Sequence, residues 1–427
     1  MLTAVSRYGT RVPPESADII RHCAKRGQLV QGPHLAEFEK EFGRFLGEGH
    51  VRSVSMEYGR MGLLYILQSL RLPAGSEIIV PALTFWVVPE IARVAGLKPV
   101  FADIDPRTFT LSPEAVERAI TPNTRAVLPT HLYGLPCDME PILALARRHN
   151  LKVIEDCAHS LGATYRGQPV GTLGDASFFS FQAFKPLNTY GGGMAWMRDA
   201  ELAQRVGELA AAEPSPTEKY VRHVLLVGKL QHTFIRPGVY TYSGFPIFWA
   251  ASWMNAKPDV YLWEKVRGLD PIPTQYRVRY SNVQAALGLA GLARLQEWIA
   301  RTRRHASSLD AVLSGIPGVT PPIVPSDRTH VYYQYCAYVP DDTELVRKCI
   351  RKGVDAAPMH VDICTQVELF GWQGPQAPGA ERAARAVQIP IYESLSDAEI
   401  ERIGRTVREA LLHQPPQARV AVRGESV

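Results

Sequence analysis

Short apolar runs alternate with helical patterns through the first half of the chain, and this alternation is the strongest constraint on its fold. The strand-like runs are Glu77–Pro81, Lys98–Ala102, Ala126–Thr130 and Leu151–Ile154. Helical periodicity separates them, for example over Pro113–Ile120 and Met139–Arg148. Strands that alternate with helices predict a mostly parallel sheet covered by helices on both faces. The sequence therefore predicts an α/β fold.

Lys185 stands between an aromatic run and three glycines. Phe181 and Phe184 precede it, Pro186 follows it, and the glycines occupy 191–193. Apolar neighbours favour the neutral amine, which is the form that attacks an aldehyde to make a Schiff base. Glycine has no Cβ, so the backbone can approach a bound cofactor closely. A solvated lysine in a surface turn is the alternative, and this window alone does not decide between the two.

A second window places an acid at the end of a strand. The run Leu151–Ile154 leads through Glu155 to Asp156, and the carboxyl ends of parallel strands are where α/β folds bind ligands. Pyridoxal phosphate needs an acid beside its ring nitrogen, because a protonated ring acts as an electron sink. Lys185 and Asp156 together therefore indicate a site for pyridoxal 5'-phosphate.

Several windows, taken in order, resemble the DegT/DnrJ/EryC1/StrS family of sugar aminotransferases. They are Gly32–Glu39, Glu77–Pro81, Glu155–Met194, Tyr280–Gly288 and Gln388–Tyr392. The resemblance implies the fold of the fold-type I pyridoxal-phosphate-dependent transferases, with a smaller C-terminal α+β domain. It also implies a homodimer whose active sites are shared between the two chains.

The resemblance assigns roles residue by residue. It implies that Lys185 carries the cofactor as a Schiff base and that Asp156 holds the ring nitrogen. Phe85 is expected to stack on the ring, and His159 to contact it near its phenolic oxygen. The residues expected at the cofactor phosphate are Gly59, Arg60, Met61, Ser180 and, from the neighbouring subunit, Arg277.

Five positions depart from the family pattern. Arg60 replaces a hydroxyl residue, and Arg277 replaces an asparagine, so charged contacts to phosphate are expected in both places. Gly191 stands where the family has a glutamate, which puts any substrate contact of that acid in doubt. Met359 and His360 take the place of a common His-Tyr pair, so we expect a different acceptor pocket.

The implied activity is transamination with Lys185 as general acid and base. Family analogy gives glutamate or glutamine as the amino donor, and a keto group on a nucleotide-linked sugar or cyclitol as the acceptor. Two alternatives stay open: a lipophilic or lipid-linked ketone as acceptor, and a non-catalytic regulatory protein that keeps the fold. The family's sugar-deoxygenating dehydratases replace the lysine with histidine, so Lys185 argues against that reaction.

The predicted organisation has four parts. An N-terminal segment covers residues 1–50, and a large cofactor-binding domain covers 51–270, with an insertion at about 205–270. A linking helix and small domain cover 271–413, with a strand expected at Val331–Tyr338, and the tail 414–427 is expected to be disordered. Tyr220–Trp263 is rich in aromatic and basic residues. It fits packing within an oligomer or the core, a substrate lid, or a helix at a membrane interface.

Charge and cysteine content narrow the class of partner. The formal net charge of +5 is mild and lacks a basic run, so it fits an anionic cofactor and does not indicate nucleic acid. The six cysteines show no metal-ligand spacing, so we predict reduced thiols, no metal site and a cytoplasmic location.

Overall fold

The computed structural model describes residues 3–47, 52–254, 264–359 and 361–412. The strands are β1 (Ser53–Met56), β2 (Glu77–Pro81), β3 (Leu83–Thr84), β4 (Lys98–Ala102), β5 (Ile104–Asp105), β6 (Thr110–Leu111), β7 (Thr124–Val127), β8 (Lys152–Asp156), β9 (Thr164–Tyr165), β10 (Gln168–Pro169), β11 (Ala176–Ser180), β12 (Gly193–Met197), β13 (Tyr335–Ala337), β14 (Ala357–Pro358), β15 (Asp362–Ile363) and β16 (Val387–Ile389).

The α-helices lie between these strands, before the first strand and after the last one. They are α1 (Ser16–Lys25), α2 (His34–Phe45), α3 (Gly59–Ser69), α4 (Val87–Val94), α5 (Pro113–Ala119), α6 (Met139–His149), α7 (Ala200–Ala212), α8 (Glu218–Phe234), α9 (Pro237–Tyr240), α10 (Phe245–Met254), α11 (Asn282–Leu313), α12 (Asp342–Arg351), α13 (Pro378–Ala383) and α14 (Asp397–Leu412).

A seven-stranded sheet with the order β1-β12-β11-β8-β7-β2-β4 forms the centre of the large domain. The run β11-β8-β7-β2-β4 is parallel, and β12 is antiparallel to both of its neighbours. Phe178 of β11 is in register with Asp156 of β8. The predicted mostly parallel sheet is confirmed, and the carboxyl ends of β8 and β11 lie at one edge.

Side chains of each central strand alternate between two apolar cores, one on each face of the sheet. Ile78 and Val80 of β2 belong to the core covered by α3, α4 and α7, whereas Ile79 belongs to the core covered by α2, α6 and α11. Phe178 and Phe179 divide in the same way. Because strand side chains alternate with a period of two, a strand covered on both faces must be apolar at every position.

The small domain has its own sheet and core. Strands β13, β16 and β14 form an antiparallel sheet, and the long helix α11 enters this domain with its C-terminal half. Val5 also lies in this core and pairs with Val354, while α2 packs against the large domain. The described residues of the N-terminal segment therefore contribute to the cores of both domains.

Most predicted elements are found within a few residues, and one is wrong. The predicted strand Val331–Tyr338 is reduced to β13, which begins only at Tyr335. Tyr332 has a φ of 50°, in the left-handed region, so the chain turns there and cannot continue as a strand. Tyr333, the residue after this turn, therefore lies outside β13.

Between residues 218 and 254, the described part of the insertion forms the helices α8, α9 and α10. The breaks follow from proline, since Pro237 opens α9 and Pro246 lies at the second residue of α10. Pro258, Trp263 and the tail from Gln414 lie outside the described residues. Within the part of the chain that the structure describes, no helix has the length and apolarity needed to cross a membrane.

Candidate active site

Asp156 lies at the carboxyl end of β8 and is buried. Its Oδ1 accepts a hydrogen bond from the backbone N–H of Ala158 at 3.0 Å, and Oδ2 accepts one from Thr130 Oγ1 at 3.5 Å. Burial raises the pKa of Asp156 above its ordinary value, and the hydrogen bond from Ala158 and the charge of Lys185 oppose this rise. A nearby cation thus favours the ionised carboxylate.

Lys185 lies in the turn that connects β11 and β12. The loop is fixed by the backbone hydrogen bond from Phe181 to Gly192 at 2.8 Å and by the contact of Thr189 Oγ1 with the Tyr280 hydroxyl at 2.6 Å. Burial lowers the pKa of Lys185 to about 8; Asp156 opposes this effect and Arg60 adds to it. The turn predicted as the alternative is therefore present, but its lysine is not an ordinary solvated amine.

Lys185 and Asp156 form a pair of opposite charges near the carboxyl ends of β8 and β11. Each charge shifts the pKa of the other group. Over the described residues, no salt bridge within 4.0 Å joins Lys185 to Asp156. The two groups are therefore close enough for their charges to interact without a direct salt bridge.

Three aromatic rings stack beside this pair. The Tyr333 ring lies 5.1 Å from Lys185 Nζ and is stacked on His159, with 4.1 Å between ring centroids. Tyr133 lies on the far side of His159, at 6.2 Å. Burial, together with the charge of Lys185, holds the pKa of His159 well below its ordinary value, so the ring is neutral. Tyr333 comes from the segment between the two domains, and sequence reasoning missed it.

The start of α3 forms a small cradle with β11. A Cβ added at Gly59 would lie 2.6 Å from the Phe179 carbonyl oxygen and 3.3 Å from the Ser180 Cβ, so Gly59 permits an approach that another residue would prevent. Backbone N–H groups of a first helical turn lack partners within the helix and attract anions. The Ser180 side chain lies beside them. The start of α3 and Ser180 therefore lie together, and the predicted contact of this pair with a phosphate stays a prediction.

Arg60 and Met61 take different directions in the first turn of α3. The Arg60 guanidinium makes a bidentate pair with Glu264, at 3.1 and 2.9 Å, and lies 4.7 Å from the Tyr276 ring centroid. Met61 is buried in the core, and its N–H donates to the Tyr58 carbonyl at 3.0 Å. The Arg60 side chain is therefore directed at a carboxylate, and a contact of either residue with a cofactor phosphate stays a prediction.

Phe85 and Arg277, two further predicted cofactor residues, have different surroundings. Phe85 follows β3 and lies 5.9 Å from the Arg60 guanidinium carbon, measured from its ring centroid. Arg277 is 57% exposed and donates to Glu213 Oε1 at 3.1 Å. Among the described residues of one chain, Arg277 makes no hydrogen bond or ion pair with the other predicted site residues. Its predicted contact with the cofactor phosphate of a second subunit stays a prediction.

Glu57 is a second buried acid that the sequence did not reveal. Burial raises its pKa to about 7, and its Oε1 accepts a hydrogen bond from Tyr220 of α8 at 3.2 Å. A Cβ added at Gly191 would lie 3.3 Å from the same oxygen. The position where the family pattern has a glutamate therefore borders on a carboxyl group supplied by another part of the chain.

His131, Glu155 and Cys157 cluster beneath Asp156. His131 Nε2 contacts Glu155 Oε2 at 3.0 Å, and His131 Nδ1 accepts the Cys137 N–H at 3.0 Å. Glu155 also accepts backbone hydrogen bonds from Gly171, Leu173 and Gly174, each at 2.8 Å. These partners account for both nitrogens of His131 and both oxygens of Glu155, so the cluster supports the strand end that carries Asp156.

The residues present fit pyridoxal 5'-phosphate. The cofactor has an aldehyde, a ring nitrogen and a phosphate, and the site offers a partly desolvated amine, a buried carboxylate and a helix start beside Ser180. The Thr84 Oγ1 and Tyr133 hydroxyl atoms are buried without a hydrogen-bond partner among the described residues. Such groups indicate a site shaped for a polar ligand.

Comparison with known proteins places this geometry among aminotransferases. The model of the DegT/DnrJ/EryC1/StrS aminotransferase family matches residues 12–237 and 250–408. GDP-perosamine synthase of Caulobacter vibrioides is 29% identical over 423 residues, covering 96% of this chain and 99% of that protein. The L-glutamine:2-deoxy-scyllo-inosose aminotransferase of Streptomyces lividus is 43% identical over 203 residues, covering 46% of this chain and 47% of that protein.

A solved structure shows the same arrangement over nearly the whole length. The aminotransferase TlmJ from Streptoalloteichus hindustanus superposes with a TM-score of 0.77 at 27% identity, covering 96% of this chain and 99% of that one.

Proposed function

The chain belongs to the DegT/DnrJ/EryC1/StrS aminotransferase family, and we propose that it uses pyridoxal 5'-phosphate to aminate a keto group on a nucleotide-linked sugar or cyclitol. The observation that carries the proposal is Lys185, with its lowered pKa, close enough to the buried Asp156 for their charges to interact. The substrate class rests on the relatives, one named for a GDP-linked sugar and one for a scyllo-inosose.

Lys185 has two tasks in this proposal. With a pKa of about 8 it is partly neutral at physiological pH and can bond to an aldehyde. After the amino donor displaces it, Lys185 Nζ is free to take and return the proton at the substrate carbon that carries nitrogen. Bound pyridoxal phosphate supplies the electron sink that makes this carbon acidic.

The surrounding residues hold the cofactor in place. Asp156 would keep the ring nitrogen protonated, while Phe85 and His159 would contact the ring. Gly59, Ser180 and the backbone at Arg60 would hold the phosphate at the start of α3, and Tyr333 would cover Lys185 from the side of the small domain. Asp156 and Ser180 are the last residues of β8 and β11, and the Tyr333 ring lies 5.1 Å from Lys185 Nζ, which supports this arrangement.

Glutamate or glutamine is the proposed amino donor, and one site serves both donor and acceptor in turn. We further propose a homodimer in which Arg277 reaches the phosphate held by the other subunit. Its half-exposed side chain, paired only with Glu213 among the described residues, is available for such a contact. All six cysteines are free and buried, which supports the proposed cytoplasmic location.

A labelling experiment tests the proposed reaction. Purified protein with pyridoxal phosphate is incubated with amino-labelled glutamate or glutamine and a panel of keto sugars and keto cyclitols, and the products are read by mass. We expect label in at least one acceptor with the wild type and none with Lys185→Ala. Lys185→Arg is the control that keeps the positive charge and removes the reactive amine; it should also be inactive. Label transfer that persists in Lys185→Ala would contradict the proposal.

A further inference from the structure

One continuous part of the chain carries most of its exposed apolar surface. Of the thirteen large hydrophobic side chains that are exposed in the described residues, ten lie between Leu226 and Met254. They are Leu226, Val227, Leu230, Phe234, Val239, Tyr242, Ile247, Trp249, Trp253 and Met254. Monomeric proteins rarely expose so many large apolar groups together, so this concentration indicates a contact surface. We call it the α8–α10 face.

The α8–α10 face is positively charged as well as apolar. Between Lys219 and Met254 the sequence has Lys219, Arg222, Lys229 and Arg236, and it has no aspartate or glutamate. Arg222 pairs with Glu218, just before this stretch. In the described part of the chain, Lys219, Lys229 and Arg236 have no carboxylate within 4.0 Å. Three exposed cations of this segment therefore have no carboxylate partner among the described residues.

Helix α10 is anchored so that its aromatic residues stay outside. Phe245 is buried in a cluster with Tyr240 and Ile350. Arg351, at the end of α12, places its guanidinium 3.8 Å from the Trp253 ring centroid and donates to the Ser252 carbonyl at 2.9 Å. Trp249 and Trp253 are nevertheless 45% and 58% exposed. These two exposed side chains therefore lie on a helix that packs against the small domain.

Part of the α8–α10 face lies outside the residues that match the family model. It covers 12–237 and resumes at 250, so it omits the stretch that holds α9 and the first half of α10. The apolar residues Val239, Tyr242 and Ile247 lie in the omitted stretch. The α8–α10 face is thus partly built by residues outside the pattern that defines the family.

We propose that the α8–α10 face binds the interface of a lipid bilayer that contains anionic phospholipids. Exposed tryptophan and tyrosine, on a segment whose lysine and arginine lack carboxylate partners, suit the boundary between acyl chains and anionic head groups. The ten residues of α10 span about 15 Å, half of the roughly 30 Å core of a bilayer, so the helix lies in the plane of the interface.

A second copy of the chain is the other candidate occupant, and charge disfavours it. In a two-fold symmetric contact the same patch meets itself, which would place these cations opposite one another with no carboxylate of the patch between them. An anionic bilayer meets the same cations with opposite charge. The inference goes beyond the proposed reaction and does not depend on it.

Vesicle co-sedimentation tests this inference on the full-length protein. One set of vesicles contains phosphatidylcholine alone, and the other also contains phosphatidylglycerol at about a third of the lipid. We expect binding to the anionic vesicles that is about tenfold stronger than to the neutral ones and falls as salt is raised. Trp249→Ser/Trp253→Ser should weaken binding about tenfold, because two aromatic anchors are lost.

Two further variants test whether binding depends on this face and on its charge. Ile323→Ser/Leu412→Ser removes two exposed apolar groups elsewhere and should bind like the wild type. Lys229→Glu/Arg236→Glu should weaken binding to anionic vesicles and leave binding to neutral vesicles unchanged. Circular dichroism checks that each variant is folded.

Three results would overturn the inference. The first is protein that stays in the supernatant with both vesicle types, and the second is equal binding to neutral and anionic vesicles. The third is a concentration-dependent rise in mass that the double tryptophan variant abolishes, without vesicle binding. That last result would assign the α8–α10 face to a second copy.

Discussion

The Lys185 Nζ atom lies 5.1 Å from the centroid of the Tyr333 ring, although the two residues are 148 positions apart in the sequence. The ring covers the amine from the side of the small domain and is itself stacked on His159. Burial is the main cause of the lowered pKa of Lys185, and Tyr333 is one of the residues beside the amine.

Tyr333→Ala should raise the pKa of Lys185 from about 8 toward its ordinary value of 10.5, because water replaces the ring. The measurement is the pH dependence of the rate at which the protein incorporates pyridoxal phosphate, trapped with borohydride and followed by mass. Tyr333→Phe keeps the ring and should retain the wild-type profile. The same midpoint in the alanine variant and the wild type would mean that Tyr333 does not control this amine.

Asp156→Asn should move the same midpoint in the opposite direction. The Asp156 carboxylate holds the pKa of Lys185 up, so removing its charge should bring the pKa below about 8. Turnover with an amino donor should fall on the order of 100-fold, as when a preorganised electrostatic partner is removed elsewhere. A faster reaction of the free amine together with slower turnover is the expected signature, and unchanged turnover would argue against the role given to Asp156.

Glu57→Gln should change how stability depends on pH. Burial raises the pKa of Glu57 from 4.5 to about 7, so between these values the folded protein holds a proton that the unfolded chain releases. The stabilising contribution is therefore full below about pH 4.5 and is lost as the pH rises through 7. The loss is about 3 kcal/mol, taken as the shift times 1.36 kcal/mol per unit.

Urea unfolding at pH 5 and at pH 8 measures this effect. The wild type should lose more stability between these pH values than Glu57→Gln does, whereas Glu208→Gln, at an exposed position of α7, should behave like the wild type. Identical pH dependence in the wild type and Glu57→Gln would show that Glu57 ionises as an ordinary carboxylate.

Arg277→Ala should raise the dissociation constant for pyridoxal phosphate at least about tenfold, if the side chain donates a charge-assisted hydrogen bond to the phosphate. Absorbance titration gives the constant, and analytical ultracentrifugation gives the mass. Glu213→Gln is the control, because it weakens the 3.1 Å pair with Arg277 and keeps the arginine. A lower mass with lost activity would instead give Arg277 a structural role at the subunit interface.

The sequence predicted those parts of the fold that local pattern determines. Strand β2 is apolar at nearly every position because both of its faces are covered, and its predicted bounds, Glu77–Pro81, are confirmed. The predicted strand at 126–130 is displaced: β7 begins at Thr124, where polar residues conceal its start, and ends at Val127. The strand predicted from Val331 failed because a single left-handed residue, Tyr332, interrupts an otherwise strand-like run.

Contacts between distant segments could not be predicted in this way. The pairing of Arg60 with Glu264 joins residues 204 positions apart, and nothing in either window signals the other. Tyr333 and Glu57 escaped notice for the same reason, since a tyrosine in an apolar run and a lone glutamate are common in any sequence. Lys185 and Asp156 were found because a lysine among aromatic residues and an acid at a strand end are unusual locally.

The visible absorption spectrum of the protein with pyridoxal phosphate, before and after excess glutamate or glutamine, tests the central assignment most directly. The wild type should retain the cofactor through gel filtration with a visible band that bleaches when the donor is added, and Lys185→Ala should lack the covalent retention. A wild type that shows no band after addition of pyridoxal phosphate would contradict the assignment of Lys185 and Asp156 as the centre of the site.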